Sequence, residues 1–313
     1  MESAQNNKDK SRIHHRSAGS VTFDIVLYVF FTVFTLICIY PFYYLIINSI
    51  SSNAMSANGQ IMFLPHLIHW DNYQQILVLP NLMQSALISA GRTIIGPICT
   101  VFASTFLGFM FTQQKLMLRS ACYRIIIATM YFNAGLIPFY LIMVNLHLNN
   151  NFLAYILPAI ISPFCIILVK AYIESTPREL QEAAEIDGAG IFRVFTQIVV
   201  PLCTPILATI TIFTAVWQWN SFQDTILLMT DQKFFPLQLT LYQYITQAQK
   251  LALLMMNGQN ALSAQTFQNA VSTQTPVSVR MTVSVVVVLP ILVVYPFFQR
   301  YFVKGIMIGA VKG

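Results

Sequence analysis

Apolar residues gather into six long runs along the chain, at about 23–50, 85–111, 121–146, 152–173, 205–227 and 279–303. A helix needs about 20 mostly apolar residues to cross the roughly 30 Å hydrocarbon layer of a bilayer, and each run meets that length. The pattern predicts an all-α, polytopic membrane protein with six transmembrane helices. Residues 1–22 form a basic leader and 23–313 a single transmembrane domain. The first run is too long for the core of a signal peptide and no A-x-A site follows it, so it reads as a retained span. Three polar intervals are long, at 51–84, 174–204 and 228–278. The first, with Trp70, Asn72 and Tyr73, is either a solvated connector or a fold over one mouth of the bundle. The last carries an apolar patch, Leu251 to Met256, suited to a short interfacial helix.

Composition agrees with a membrane protein. The chain is 56% hydrophobic and 9% charged, with mean hydropathy +0.64. Soluble domains carry about 25% charged residues, so a water-soluble globule is excluded. The net charge of +6 reflects loop charges rather than a nucleic-acid partner. Thirteen of the seventeen bases fall on one side of a six-span thread: Lys8, Lys10, Arg12, Arg16, Lys115, Arg119, Arg124, Lys170, Arg178, Arg193, Arg300, Lys304 and Lys312. The positive-inside rule puts that side, with both termini, in the cytoplasm.

Little in the sequence points to chemistry within the chain. The five cysteines (Cys38, Cys99, Cys122, Cys165, Cys203) form no CxxC and have no companion histidine, so neither a disulfide framework nor a zinc site is indicated. No glycine-rich loop ends in Gly-Lys-Ser or Gly-Lys-Thr, the signature of a phosphate cradle. His14 and His15 sit in the leader, and His66, His69 and His147 in connectors. No cofactor or metal is expected in the chain.

The 174–204 loop is the informative one. Thr176-Pro177-Arg178-Glu179 reads as a capping box that opens a helix. The helix should close at Gly188 in a left-handed residue. Ala183, Ala184 and Asp187 would share one face. A second helix follows with Phe192, Phe195 and Val199 as its apolar stripe, ending before Pro201. Two short helices meeting at a glycine make a knob, either for a partner or for the chain's own helices.

The run Glu182-Ala183-Ala184-x-x-Asp187-Gly188-Ala189, then Phe195, Ile198, Pro201 and Pro205, resembles the EAA loop of ABC-importer permeases; Val200 stands where that family often has Leu. The resemblance implies a type I ABC importer permease fold. It also implies that Glu182, Ala183, Ala184, Asp187, Gly188, Ala189, Phe192 and Phe195 dock on a cytoplasmic ATPase subunit. Three further stretches resemble the carbohydrate-uptake branch, which includes the smaller permease subunit of the maltose importer. They are Trp217 to Phe222, Phe234 to Leu239, and Pro296 to Gly305 with the closing Gly309 to Gly313. The likeness extends to oligosaccharide permeases served by lipoprotein binding proteins. It implies the bacterial cytoplasmic membrane, a second homologous permease, two copies of an ATPase holding ATP and Mg, and an extracellular binding protein.

Sugars are held by aromatic faces and hydrogen-bonding groups, so Trp217, Trp219, Asn220, Ser221 and Gln223 are candidates for the substrate path. The tryptophans would alternatively form an interfacial belt. Arg92 lies inside a span, where an ionisable group is costly. It would contact substrate, pair with an acid of a second permease, or snorkel to headgroups. An autonomous secondary transporter or channel is the rival reading. It calls for buried acids and an internal repeat, yet spans two to four and span six hold no deep Asp or Glu. A membrane-embedded enzyme would need a catalytic constellation that the sequence does not display.

Overall fold

The computed structural model describes residues 18–132, 134–256 and 275–310, which are helical and, among themselves, contain no strand. Three of the apolar runs form continuous helices long enough to cross a bilayer: α1 (Ala18–Ser49), α4 (Leu82–Met110) and α13 (Pro276–Ala310). Short helices α2 (Asn53–Ala57) and α3 (Asp71–Leu77) precede α4. The leader up to residue 17, residues 257–274 and the tail from Val311 lie outside the described residues.

The other three runs are interrupted. The third divides into α5 (Arg119–Thr129) and α6 (Leu136–Asn145), because Gly135 takes φ +87, a conformation no helix contains. The fourth begins as 3₁₀ turns, Phe152–Ala159, and bends by 44° into α7 (Pro163–Ser175). Pro163 cannot donate a helical N–H, and the Ser162 hydroxyl accepts instead from Cys165 N at 3.5 Å. The fifth run, expected at 205–227, stops as α10 (Thr204–Asn220), turns at Ser221 and Phe222, and resumes as α11 (Gln223–Leu228). Among the described residues, counting each bent pair as one, up to five segments satisfy the length and apolarity of a span.

The 174–204 interval holds α8 (Glu179–Ile186) and α9 (Ile191–Leu202), and α12 (Leu237–Met256) follows α11. The expected interfacial patch Leu251 to Met256 is the last part of α12.

α4 is the central element. Ser85, Ser89, Arg92, Gly96, Thr100, Ser104 and Gly108 recur every three or four residues and are buried or lie at helix contacts. Small side chains on one stripe let neighbouring backbones come close, which is how helices associate where lipid offers no hydrophobic drive. α10 and α7 pack along this stripe, while α13 lies between α1 and α10.

The 51–84 interval is a fold rather than a solvated connector. Asn72 Nδ2 donates to Asn53 Oδ1 at 2.9 Å and to Ser49 O at 3.0 Å, and Asn53 Nδ2 donates back to Asn72 Oδ1 at 3.1 Å. Ser56 Oγ donates to Asn48 Oδ1 at 2.8 Å. These buried amides tie the interval to the end of α1.

Side chains of α4 also catch the segment that opens α12. Ser89 Oγ accepts from Leu237 N at 2.8 Å, the Ser85 and Thr240 hydroxyls lie 2.8 Å apart, and Gln84 Nε2 donates to Lys233 O at 3.0 Å. Replacing Ser89 by Ala strands the buried Leu237 N–H. We expect a loss of about 1–3 kcal/mol, read as a lower melting temperature of the detergent-solubilised chain; an unchanged melt would show that this bond is dispensable.

Candidate functional site

Two places concentrate unusual structure: the elbow formed by α8 and α9, and a cavity beside the break between α10 and α11. At the elbow, Thr176 does not open a capping box. Its hydroxyl donates to Ile173 O at 2.6 Å and closes α7, so α8 starts at Glu179, with Arg178 O accepting from Gln181 N and Glu182 N. The end of α8 is as expected. Gly188 takes φ +80, its N–H reaches Glu185 O at 3.1 Å, and Ala189 N reaches Ala184 O at 2.9 Å, the paired bonds of a Schellman turn.

Ala183, Ala184 and Asp187 do not share one environment. Ala184 and Ala189 pack inward against a cluster containing Phe109, Val169, Ile173, Val194, Phe195 and Val199. Glu182, Ala183 and Asp187 face outward. Leu180 and Ile186 are exposed beside them, Ile186 by 85%. Phe195 and Val199 are core residues, whereas Phe192 is 68% exposed, with its ring stacked 6.1 Å from that of Phe106.

α9 does not end before Pro201 but runs through it to Leu202. A proline inside a helix removes one donor and crowds the preceding turn. Here that turn, Phe195–Val199, is widened to π geometry, which accommodates the ring. The chain then bends by 78° into α10. Lys115 Nζ meets Glu185 Oε2 at 2.8 Å beside the elbow, over a polar cleft of about 180 Å³.

The second place is a cavity of about 320 Å³ lined by Phe139, Tyr155, Trp217, Ser221, Gln223 and Asp224, among others. Arg92 lies behind its wall, 0% exposed. Arg92 Nη2 meets Asp224 Oδ2 at 2.5 Å, Nη1 donates to Ser221 O at 3.0 Å, and Nε donates to Gln218 Oε1 at 3.0 Å. The guanidinium also sits 4.3 Å from the Tyr155 ring centroid. Gln218 Nε2 donates to Tyr155 O at 3.0 Å, closing the network.

Arg92 thus neither snorkels nor reaches for another chain's acid, because its counter-ion is Asp224 of its own chain. Asp224, Gln218 and Tyr155 were not among the residues singled out above. One signal was available: the run 205–227 holds a single acid and the run 85–111 a single base. A charge in hydrocarbon demands its opposite.

Among the candidate path residues, Trp217 (58% exposed), Ser221 and Gln223 line the cavity. Trp219 instead donates its Nε1–H to Val287 O on α13 at 3.1 Å, and the Asn220 amide donates to Val216 O at 3.0 Å. Neither lines the cavity.

No protein-family model matches the chain. It is 33% identical over 301 residues to Protein LplC of Bacillus subtilis (strain 168), covering 96% of this chain and 98% of that protein. The polygalacturonan/rhamnogalacturonan transport system permease protein YtcP of the same organism is 32% identical over 293 residues, 93% and 98% of the two chains. The chain belongs to the carbohydrate ABC transport system permeases. Its fold also matches a chain in the crystal structure of a bacterial ABC transporter that imports the acidic polysaccharide alginate. The TM-score is 0.79 and the identity 29%, covering 91% of this chain and 98% of that one.

The permease is therefore a non-enzymatic, membrane-embedded subunit of an ATP-driven importer, resident in the cytoplasmic membrane. Removing Asp224 from it would leave a buried guanidinium without its counter-ion. Asp224→Leu should cost about 3–5 kcal/mol, and adding Arg92→Met should recover part of that loss, the remainder reflecting the donors that Ser221 O and Gln218 Oε1 then lack. A double-mutant cycle on thermal melting in detergent measures both. Additive losses would show that the pair is not coupled.

Proposed function

We propose that the permease spans the membrane six times with both termini in the cytoplasm, as an N-terminal leader (1–22) and one transmembrane domain (23–313). The third crossing is α5 with α6, and the fourth runs from Phe152 through α7. The elbow of the 174–204 loop then lies at the cytoplasmic face. There it docks into a groove on an ATPase subunit, two copies of which bind ATP and Mg. A second homologous permease completes the pore, and an extracellular binding lipoprotein delivers an oligosaccharide.

The shape of the elbow is the main support for this reading. Its outer side presents Glu182, Ala183, Ile186, Asp187 and Phe192 to solvent, while Ala184, Ala189 and Phe195 join a core shared with α4, α7 and α10. A side chain that is rigidly backed and outwardly apolar suits a partner groove, with flanking carboxylates to set register. A partner that favours one position of the elbow shifts the permease between inward- and outward-open states through that shared core.

Trp217, Ser221 and Gln223 form the sugar-facing part of this chain. The cavity they line offers an indole face beside hydroxyl, amide and carboxylate groups, the mixture that a polyhydroxylated ligand requires. Arg92 holds that wall in place from behind.

Glu182→Lys, Ile186→Asp and Gly188→Leu are each expected to abolish co-purification of the ATPase and to lower uptake at least tenfold, with the permease still inserted at normal levels. Gly188→Leu acts by straining the φ +80 turn. Intact ATPase association and intact uptake in all three would overturn the docking assignment. Trp217→Ala should raise the half-saturating sugar concentration without weakening ATPase association, which separates the path from the elbow.

A further inference from the structure

Between α2 and α3 the chain turns back along α1. Asn48 Nδ2 donates to Ile61 O at 3.3 Å. Further back along α1, the Tyr40 hydroxyl donates to Met62 O at 3.1 Å and the Tyr43 hydroxyl to Phe63 O at 2.5 Å. The Tyr40 and Phe63 rings lie 5.9 Å apart. The chain then climbs again: His66 N donates to Ser51 Oγ at 3.1 Å, Ser52 N donates to His66 O at 3.0 Å, and His69 N donates to Ile50 O at 2.9 Å. Residues 61–68 therefore form a loop whose tip lies below the end of the helix it hangs from.

The depth of that tip follows from α1. The spanning stretch Val21–Ser49 has 29 residues, about 44 Å at 1.5 Å per residue, against about 30 Å of hydrocarbon. Counted from Val21, 30 Å ends near Tyr40. Tyr40, Tyr43 and Tyr44 then sit where aromatic belts sit, at the boundary between acyl chains and headgroups. Trp70, just past the loop, and Tyr73, in the first turn of α3, have rings 5.8 Å apart.

The side chains at the tip have little cover among the described residues. Met62, Phe63, Leu64, Leu67 and Ile68 are all more than half exposed, Leu64 by 68%. The apolar surface of α1 beside them is likewise exposed.

We propose that residues 61–68 are an interfacial anchor, seated at the headgroup–acyl boundary with Met62, Phe63 and Leu64 inserted among the lipid chains. Three observations favour lipid over a protein partner. The tip is level with the belt of a helix that itself crosses the bilayer. Its apolar surface continues that of α1. The Met62 and Phe63 carbonyls are already taken by tyrosine hydroxyls, so the tip has given up acceptors that a protein interface, with about one hydrogen bond per 100–200 Å², would use. At this depth water and ester oxygens still serve the loop's N–H groups, so the irregular backbone need not be satisfied wholly from within, as it would be in the bilayer core. The anchor rests on α1 spanning the membrane; only the name of the leaflet, the outer one, rests on the proposed orientation.

The test uses the assembled transporter in liposomes, with the native cysteines, including the exposed Cys38 and Cys122, replaced by Ala and uptake verified. A nitroxide is placed at Leu64→Cys or at Gln60→Cys. At residue 64, collisions with oxygen should exceed those with a nickel chelate severalfold, and at residue 60 the ratio should reverse. Ready nickel access at 64 would mean a water-exposed loop. An immobilised label shielded from both reagents would mean a protein partner. Either result overturns the anchor.

Should the cysteine-free background fail to assemble, Leu64→Trp in the native background serves. Lipids brominated high on the acyl chain should quench the variant's added fluorescence, and absence of quenching overturns the proposal equally. Adding the chelate to one side only, with the label at 60, reports the orientation separately.

Discussion

A guanidinium cannot be left bare in hydrocarbon, and the middle of this permease is arranged around that constraint. Arg92 draws three separate pieces of chain to one point: α4 that bears it, Gln218 on α10, and Asp224 on α11 after the break. Tyr155, from the 3₁₀ stretch ahead of α7, covers the flat face of the charge. The break between α10 and α11 leaves the Ser221 carbonyl outside a helical ladder, and Arg92 Nη1 supplies the donor that carbonyl lacks. Charge neutralisation and backbone repair are thus one network.

The helices that meet at Arg92 also reach the elbow. α4 carries Arg92 in its first half and Phe109 near its far end, and Phe109 lies 5.4 Å, ring to ring, from Phe195 of α9. α10 carries Gln218 at one end and Ile210 in the cluster that receives Ala184 and Ala189. Between them runs the stripe of small residues on α4. Close-packed interiors pass displacement on rather than absorb it, so the elbow and the cavity wall are joined by two rigid members in direct contact.

Much of this was legible in the sequence, but unevenly. The apolar runs located the helices long and apolar enough to cross a bilayer, and Gly188 marked the turn of the elbow, because both signals are local; the 20-residue α12 was missed, because it opens within a polar interval. The breaks before Gly135 and at 221–222 were not legible, since an apolar run reports affinity for lipid and not continuity of the helix inside it. Thr176 misled for a similar reason: a hydroxyl between two helices can cap either, and here the C-terminus of α7 claims it. Pro201 reads as a stop signal, yet a single wide turn carries the helix past it. The partner of Arg92 lies 132 residues away, a distance over which no periodicity speaks. Only the complementarity of one base and one acid, each alone in its run, hinted at the pair. Trp219 shows the converse, since composition grouped it with Trp217 while the fold turned it toward α13.

The 78° junction between α9 and α10 has a mechanical meaning of its own. Two stiff arms set nearly at right angles, and braced at the corner by Phe195, Val199 and Cys203, make a bell crank. A thrust delivered along the first arm arrives at the second almost broadside. It emerges as a swing of the far tip, where the indole of Trp217 stands, rather than as compression of the rod.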